Sequence, residues 1–264
     1  MSRAELVSTV LKLGGELLED VAAIRASAAA IVRLAAREPL VVVHGGGRSI
    51  DAELKARGLT PRFADGLRIT DSATLESVVA VLAGRTNTAL VAAIGALGAK
   101  AVGLTGADAR IGLAVKAAPL ATVKGEQIDL GLVGDPGDGD VTLLDDLLGL
   151  GYVPVIASVG VAADGTLLNV NADTFAAHLA AALKARRLLV AGTTAGVLDG
   201  DGATIGELTA TDVDRLTASG TAHSGMLAKL TACRHARKSG VDEVAIVAGR
   251  GVEDFDRTVG TRVF

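Results

Sequence analysis

The sequence predicts an α/β fold: a three-layer αβα sandwich with a central, mostly parallel sheet and an inserted β-hairpin. Two observations predict it. Short apolar runs at 7–13, 40–44, 101–104, 153–157, 188–191 and 244–248 alternate with helical patterns at 21–37, 49–57, 74–97, 174–184 and 226–238. The runs are also apolar throughout, the mark of strands buried on both faces, and parallel strands need crossover helices to cover them.

Taken in order, Val10-Leu11-Lys12-Leu13 runs into Gly14-Gly15, and Val41-Val42-Val43 runs into His44-Gly45-Gly46-Gly47-Arg48. An apolar run passing into glycines and a helical pattern reads as strand, tight turn and helix N-terminus. Backbone N–H groups there point outward and favour negative charge. Two such turns with Lys12 facing them predict an anionic small molecule, hence phosphate or carboxylate chemistry. The Ala-rich stretch 22–36 between them is a good helix former. The rhythm breaks at 112–133, where short β-prone pieces around Lys124-Gly125-Glu126 read as an antiparallel hairpin inserted at one edge. Asp135-Pro136-Gly137-Asp138-Gly139-Asp140 reads as a solvated loop before a helix; as a calcium loop it lacks the glutamate that closes an EF-hand. Asp164-Gly165 signals a second hairpin turn leading into 167–170.

A chain of 264 residues suits one large domain or two coupled lobes. With 50% hydrophobic and 21% charged residues it is globular rather than disordered. A net charge of −4, scattered Lys and Arg, four Phe, one Tyr and no Trp leave neither the electrostatics nor the stacking surface for nucleic acid. The lone Cys233 excludes an internal disulfide and fits a reducing interior. His44, His178, His223 and His235, with Cys233, lack metal-ligand spacing. The opening residues lack a basic segment followed by an apolar stretch and a small-residue cleavage site, and no apolar run reads as long enough to span a bilayer. The expectation is a soluble, cytoplasmic protein with no resident metal and no nucleic-acid or membrane partner.

No Gly-x-x-x-x-Gly-Lys-Ser/Thr is present, which excludes a P-loop enzyme, and Gly45-Gly46-Gly47 lacks the spaced glycine of a dinucleotide fingerprint. His-Gly-Gly-Gly is also the oxyanion loop of esterases, but no serine sits in Gly-x-Ser-x-Gly; Ser49 and Ser158 each lack one glycine. Lys12-Leu13-Gly14-Gly15, His44-Gly45-Gly46-Gly47, Asp65-Gly66-Leu67-Arg68-Ile69-Thr70, Asn169-Val170-Asn171-Ala172-Asp173 and Ser224-Gly225-Met226-Leu227-Ala228-Lys229, in this order, resemble the amino acid kinase family. Within it the spacing is most similar to the branch that phosphorylates N-acetyl-L-glutamate. The resemblance covers nearly the whole chain, to Thr261-Arg262-Val263-Phe264.

The resemblance implies phosphoryl transfer from ATP, with Mg²⁺ carried by the nucleotide, to the side-chain carboxylate of N-acetyl-L-glutamate in arginine biosynthesis. The residues suit that reaction independently. A carboxylate acceptor is ionised at neutral pH and needs no general base, so the work is positioning and charge neutralisation. By position, Lys12 would meet the moving phosphoryl group from the acceptor side and Lys229 from the donor side, with Asp173 holding both lysines or capping the helix that follows it. Gly46 and Gly47 would bind the substrate carboxyl through N–H groups, Arg68 would clamp the α-carboxylate, and Asn169 would hydrogen-bond the acylated backbone. Gly14, Gly15, Thr193, Thr194, Gly196, Val197, Leu198, Ser224, Gly225 and Met226 would hold the nucleotide.

Three positions depart from the family pattern: Thr193 stands for an aspartate, Ser224 for Gly or Asp, and Asn87 lacks the lysine that commonly follows it. The resemblance implies an acyl amino acid lobe with the dimer contact over 1–184 and a nucleotide lobe over 185–264, sharing one sheet. Because few residues precede the first strand, the ring-forming N-terminal helix of arginine-inhibited relatives is expected to be missing, leaving a homodimer without arginine feedback. The rival readings are a kinase for carrier-linked aminoadipate in lysine biosynthesis, which would show extra basic surface, and a non-catalytic ligand sensor, which would have no need of two converging lysines.

Overall fold

The computed structural model describes residues 8–122, 125–218 and 224–264; Val7, the hairpin residue Lys124 and His223 lie outside them. Eight strands form the main sheet: β1 (Thr9–Leu13), β2 (Leu40–His44), β3 (Ala101–Thr105), β4 (Val153–Ala157), β5 (Arg187–Gly192), β6 (Glu207–Leu208), β7 (Glu243–Ala248) and β8 (Gly260–Val263), in the order β6-β8-β7-β5-β1-β2-β4-β3. Every neighbouring pair is parallel except β7 with β8. The helices are α1 (Val21–Ala35), α2 (Gly47–Ala56), α3 (Ser72–Ala96), α4 (Thr142–Gly149), α5 (Ala172–Ala182), α6 (Ala210–Ala218) and α7 (Ser224–Lys238).

Successive side chains of a strand face opposite layers. Val10, Val41, Val43, Leu188 and Val190 pack with Phe175 and Leu179 of α5 and Leu230 of α7. Leu11, Leu13, Val42 and Leu189 pack on the other face with Ile31 and Leu34 of α1 and Leu90 and Ile94 of α3. Lys12 shares Val10's face and so points toward α5. The N-terminal edge of the sheet is tied by an ionic lattice in which Arg187 joins Glu38 and Asp256, and Asp256 also takes Arg37.

Two sequence expectations need correction. The hairpin at 112–133 is not an edge of the main sheet: Leu120–Ala121 and Gln127–Ile128 form a separate two-stranded ribbon. Its flanks, Ala114–Lys116 and Val133–Pro136, join Val159–Val161 and Leu167–Val170 in a second, four-stranded sheet, so Asp135-Pro136 ends a strand instead of opening a loop. The Asp164-Gly165 turn joins two of its strands antiparallel, as the sequence signals.

The other correction concerns α3, a helix of 25 residues with an 18-residue stretch of mean hydropathy 1.5, long and apolar enough to cross a membrane by length and composition. The charges of Glu76 and Arg85 break the apolar run without breaking the helix. Its Val78, Val81, Leu82, Leu90 and Ile94 are buried in the fold's core. A π-helical stretch, Ala80–Thr86, interrupts it beside the Gly45–Gly47 turn.

Candidate active site

Parallel strands all end on one edge, and there the chain turns through glycines. The Gly14 N–H donates to Ala191 O at 2.9 Å, Gly45 N–H to Leu13 O at 3.4 Å, and Gly249 N–H to Gly192 O at 2.7 Å, so the ends of β2, β1, β5 and β7 are stitched side by side. The two phosphate-type turns touch: a Cβ on Gly15 would stand 2.6 Å from Gly46 Cα and 3.0 Å from Gly47 N. Only glycine permits that approach. Gly47 has open space where a Cβ would be, and it begins α2, whose first N–H groups have no partner within the helix.

Lys12 and Asp173 are both buried, and Lys12 Nζ lies 2.8 Å from Asp173 Oδ1, an ion pair without hydrogen-bond alignment. The other oxygen, Oδ2, is 3.8 Å from Lys229 Nζ, which also reaches Gly225 O at 3.5 Å. One carboxylate therefore stands between two ammonium groups arriving from β1 and α7, with Lys229 one helical turn after Gly225. Asp173 does not cap α5. Asn171 does, its Oδ1 accepting from the N–H groups of Asp173 at 2.9 Å and Thr174 at 3.2 Å, which leaves the Asp173 side chain free for the lysines.

Beside the Gly45–Gly47 turn, buried Arg68 is oriented by Asp51 and Phe63, which sequence reasoning missed, and by Gly47. Its Nη1 lies 2.7 Å from Asp51 Oδ1, its Nη2 donates to Gly47 O at 3.2 Å, and its guanidinium sits 4.7 Å from the Phe63 ring centroid. Asn169 Nδ2 donates to Thr70 Oγ1 at 3.1 Å, tying the second sheet to the 65–70 segment. Arg68 is thus joined to the Gly47 turn, and Asn169 to Thr70 two residues beyond Arg68.

His44 is fully buried beneath the Gly45–Gly47 turn, and burial lowers its pKa from 6.5 to about 4. Its Nδ1 faces Gly45 O at 3.2 Å and its Nε2 faces Asn87 Nδ2 at 3.1 Å; Asn87 Nδ2 also donates to Val155 O at 2.9 Å. Asn87, noted in the sequence only for a missing neighbour, braces the turn.

Thr193 and Thr194 are exposed in the loop after β5. Gly196 adopts φ +99° against Thr261, and buried Val197 donates its N–H to Thr261 Oγ1 at 2.8 Å, so both shape the loop, while Leu198 bridges to Thr204. The backbone of Ser224, Gly225 and Met226 forms the first turn of α7. A Cβ on Gly192 would stand 3.7 Å from both Lys229 Cε and Glu16 Oε1. The Glu16 carboxylate, which the sequence reading passed over, folds over Gly14. Among the described residues, no three His, Cys, Asp or Glu side chains are grouped to hold a metal ion.

The sequence profile of the amino acid kinase family matches residues 8–248. Relatives named acetylglutamate kinase, from Rhodopseudomonas palustris (strain BisA53) and Bradyrhizobium diazoefficiens, are 44% and 43% identical, each over 95% of this chain and 86% of the relative. An N-acetylglutamate synthase from Neisseria gonorrhoeae, solved with coenzyme A and N-acetyl-glutamate, superposes with a TM-score of 0.82 at 24% identity, over 97% of this chain and 59% of that one. A carbamate kinase from Giardia superposes with a TM-score of 0.70 at 14% identity, over 99% of both chains. At these identities the two structures speak for the fold.

Proposed function

Because the chain belongs to the amino acid kinase family, we propose that it transfers the γ-phosphoryl group of ATP to the side-chain carboxylate of N-acetyl-L-glutamate, the acyl-phosphate step of arginine biosynthesis. The observation that carries this reading is the single Asp173 carboxylate between Lys12 and Lys229, on the edge where the Gly15 and Gly46 turns touch.

In this reading a substrate carboxylate oxygen attacks the γ-phosphorus, a P–O bond forms to it, and the bond to the β-phosphate oxygen breaks to release ADP. No proton moves. The barrier is the repulsion between two anions, which fixed cations and N–H dipoles lower. Lys12 meets the transferred group from the acceptor side and Lys229 from the donor side, while Asp173 fixes both. The N–H groups of Gly46 and Gly47 hold the reacting carboxyl, Arg68 clamps the α-carboxylate, and Asn169 bonds the acylated backbone. Gly15 presents its N–H group to the phosphates, and Gly14, whose own N–H is held by Ala191 O, leaves room beside it for the Glu16 carboxylate. The loop 193–198 and the 224–226 turn hold the rest of the nucleotide, so that residues 1–184 carry the acceptor side and 185–264 most of the donor side. Mg²⁺ carried by the nucleotide would supply further positive charge, and Glu16 would be the side chain to hold its shell. The same reading gives a cytoplasmic homodimer.

The test is a coupled ADP-release assay with N-acetylglutamate, N-acetylaspartate, glutamate and carbamate as acceptors. ADP release with N-acetylglutamate well above the others is expected. Turnover of another acceptor in its place overturns the substrate, and release with none overturns the activity.

A further inference from the structure

α5 carries Asp173 and α7 carries Lys229, and the two helices pack along each other. Further along the same interface, His178 of α5 and His235 of α7 stack face to face, their ring centroids 4.2 Å apart and planes inclined by 17°. Cys233, on α7 between Lys229 and His235, is fully buried in the core that the two helices share. Uncharged imidazoles stack favourably at this separation, whereas charging both rings sets like charges about 4 Å apart, inside a medium that screens them less than water. Burial, and His235 beside it, hold the His178 pKa below its ordinary 6.5 against the opposing pull of Asp138 and Asp135. The arginines flanking His235 are engaged elsewhere, Arg234 with Asp214 and Arg237 with the carbonyls of Val241 and Asp242.

We infer that His178 and His235 are positioning residues: uncharged and stacked, they seat α7 on α5 so that Lys229 meets Asp173, and their protonation unseats the helix and withdraws the donor-side ammonium. The inference rests on Lys229 and Asp173 belonging to the kinase site proposed above. It makes the enzyme's turnover sensitive to acid although no histidine takes part in the chemistry.

The test measures kcat against pH for the wild type and for His178→Phe, His235→Phe and His235→Ala, with NMR titration of the remaining imidazole and circular dichroism to verify folding. Between pH 7.5 and 5.5 the wild-type kcat should fall by about fivefold or more, and by less than about twofold in the Phe variants, which keep a ring and lose the charge. At pH 7.5 His235→Ala should lower kcat, and Phe at the same position should restore it. In His235→Phe the His178 titration should move up toward its ordinary value. An unchanged acid limb in folded Phe variants, or a His178 titration indifferent to His235→Phe, overturns the inference. Should either Phe variant fail to fold, His178→Gln and His235→Gln replace it under the same criteria. A wild type that phosphorylates no acceptor defeats the functional reading instead, and the NMR titration still judges the stack.

Discussion

A buried Lys12 and a buried Asp173 at 2.8 Å make a pair that neither partner leaves cheaply. Asp173→Asn strands the lysine charge and should lower the unfolding free energy by about 3–5 kcal/mol, read from denaturant titration. A loss below about 1 kcal/mol would mean that water already reaches the pair. Lys12→Ala and Lys229→Ala should each cut kcat about a hundredfold or more, on the order of 3 kcal/mol of transition-state stabilisation. Near-normal turnover in either variant removes that lysine from the mechanism. Arg68→Lys keeps the charge but loses the planar fork that Asp51 and Gly47 orient, so the Michaelis constant for the acyl amino acid should rise about tenfold while that for ATP holds. Equal rises in both would contradict a carboxylate clamp. Lys12, Asp173 and Lys229 were legible in the sequence because each stands beside a glycine turn or a helix start. Asp51 and Phe63 were not, since their pairing with Arg68 is made by the folded chain and leaves no local pattern.

At the scale of elements, six of the eight main-sheet strands were legible because a strand buried on both faces is apolar along nearly its whole length, as 40–43 and 153–157 are, whereas 207–208 is too short and 260–263 too polar to be read. The second sheet was hidden: its strands are three or four residues long, one ends in proline, and none is long enough to show a period. Helix 174–184 was read two residues late, because Asp173 was weighed as its cap whereas the cap that fixes its start is Asn171. The Gly15–Gly46 contact gives a prediction at this scale. Gly15→Ala drives a methyl into the opposing backbone and should cost about 1–3 kcal/mol of stability. It should also raise the Michaelis constants for both substrates, because it parts the two turns. A change confined to one substrate would show that the turns act separately.

Across the whole molecule, His44 links the site to acid stability. Its folded pKa of about 4 lies below the unfolded 6.5, so the unfolded chain takes up a proton first as pH falls. The stability it supports at neutral pH is progressively lost from about pH 6.5 down to about 4, by roughly 3 kcal/mol. His44→Gln should shrink the difference in unfolding free energy between pH 7 and 4 by about that amount. An unchanged difference would show that His44 exchanges its proton freely. The fold, the family and the order of the motifs could all be read from the chain, but the bracing beneath the glycine turn could not, because His44, Asn87 and Val155 come from three distant elements. Central to the account is that two converging lysines neutralise the junction of two anions. The most direct measurement is a crystal structure with ADP, a phosphoryl mimic such as aluminium fluoride, and N-acetylglutamate. The account predicts Lys12 Nζ and Lys229 Nζ both within hydrogen-bond distance of the mimic, with Asp173 still bridging them. Either ammonium turned away from that group would contradict it.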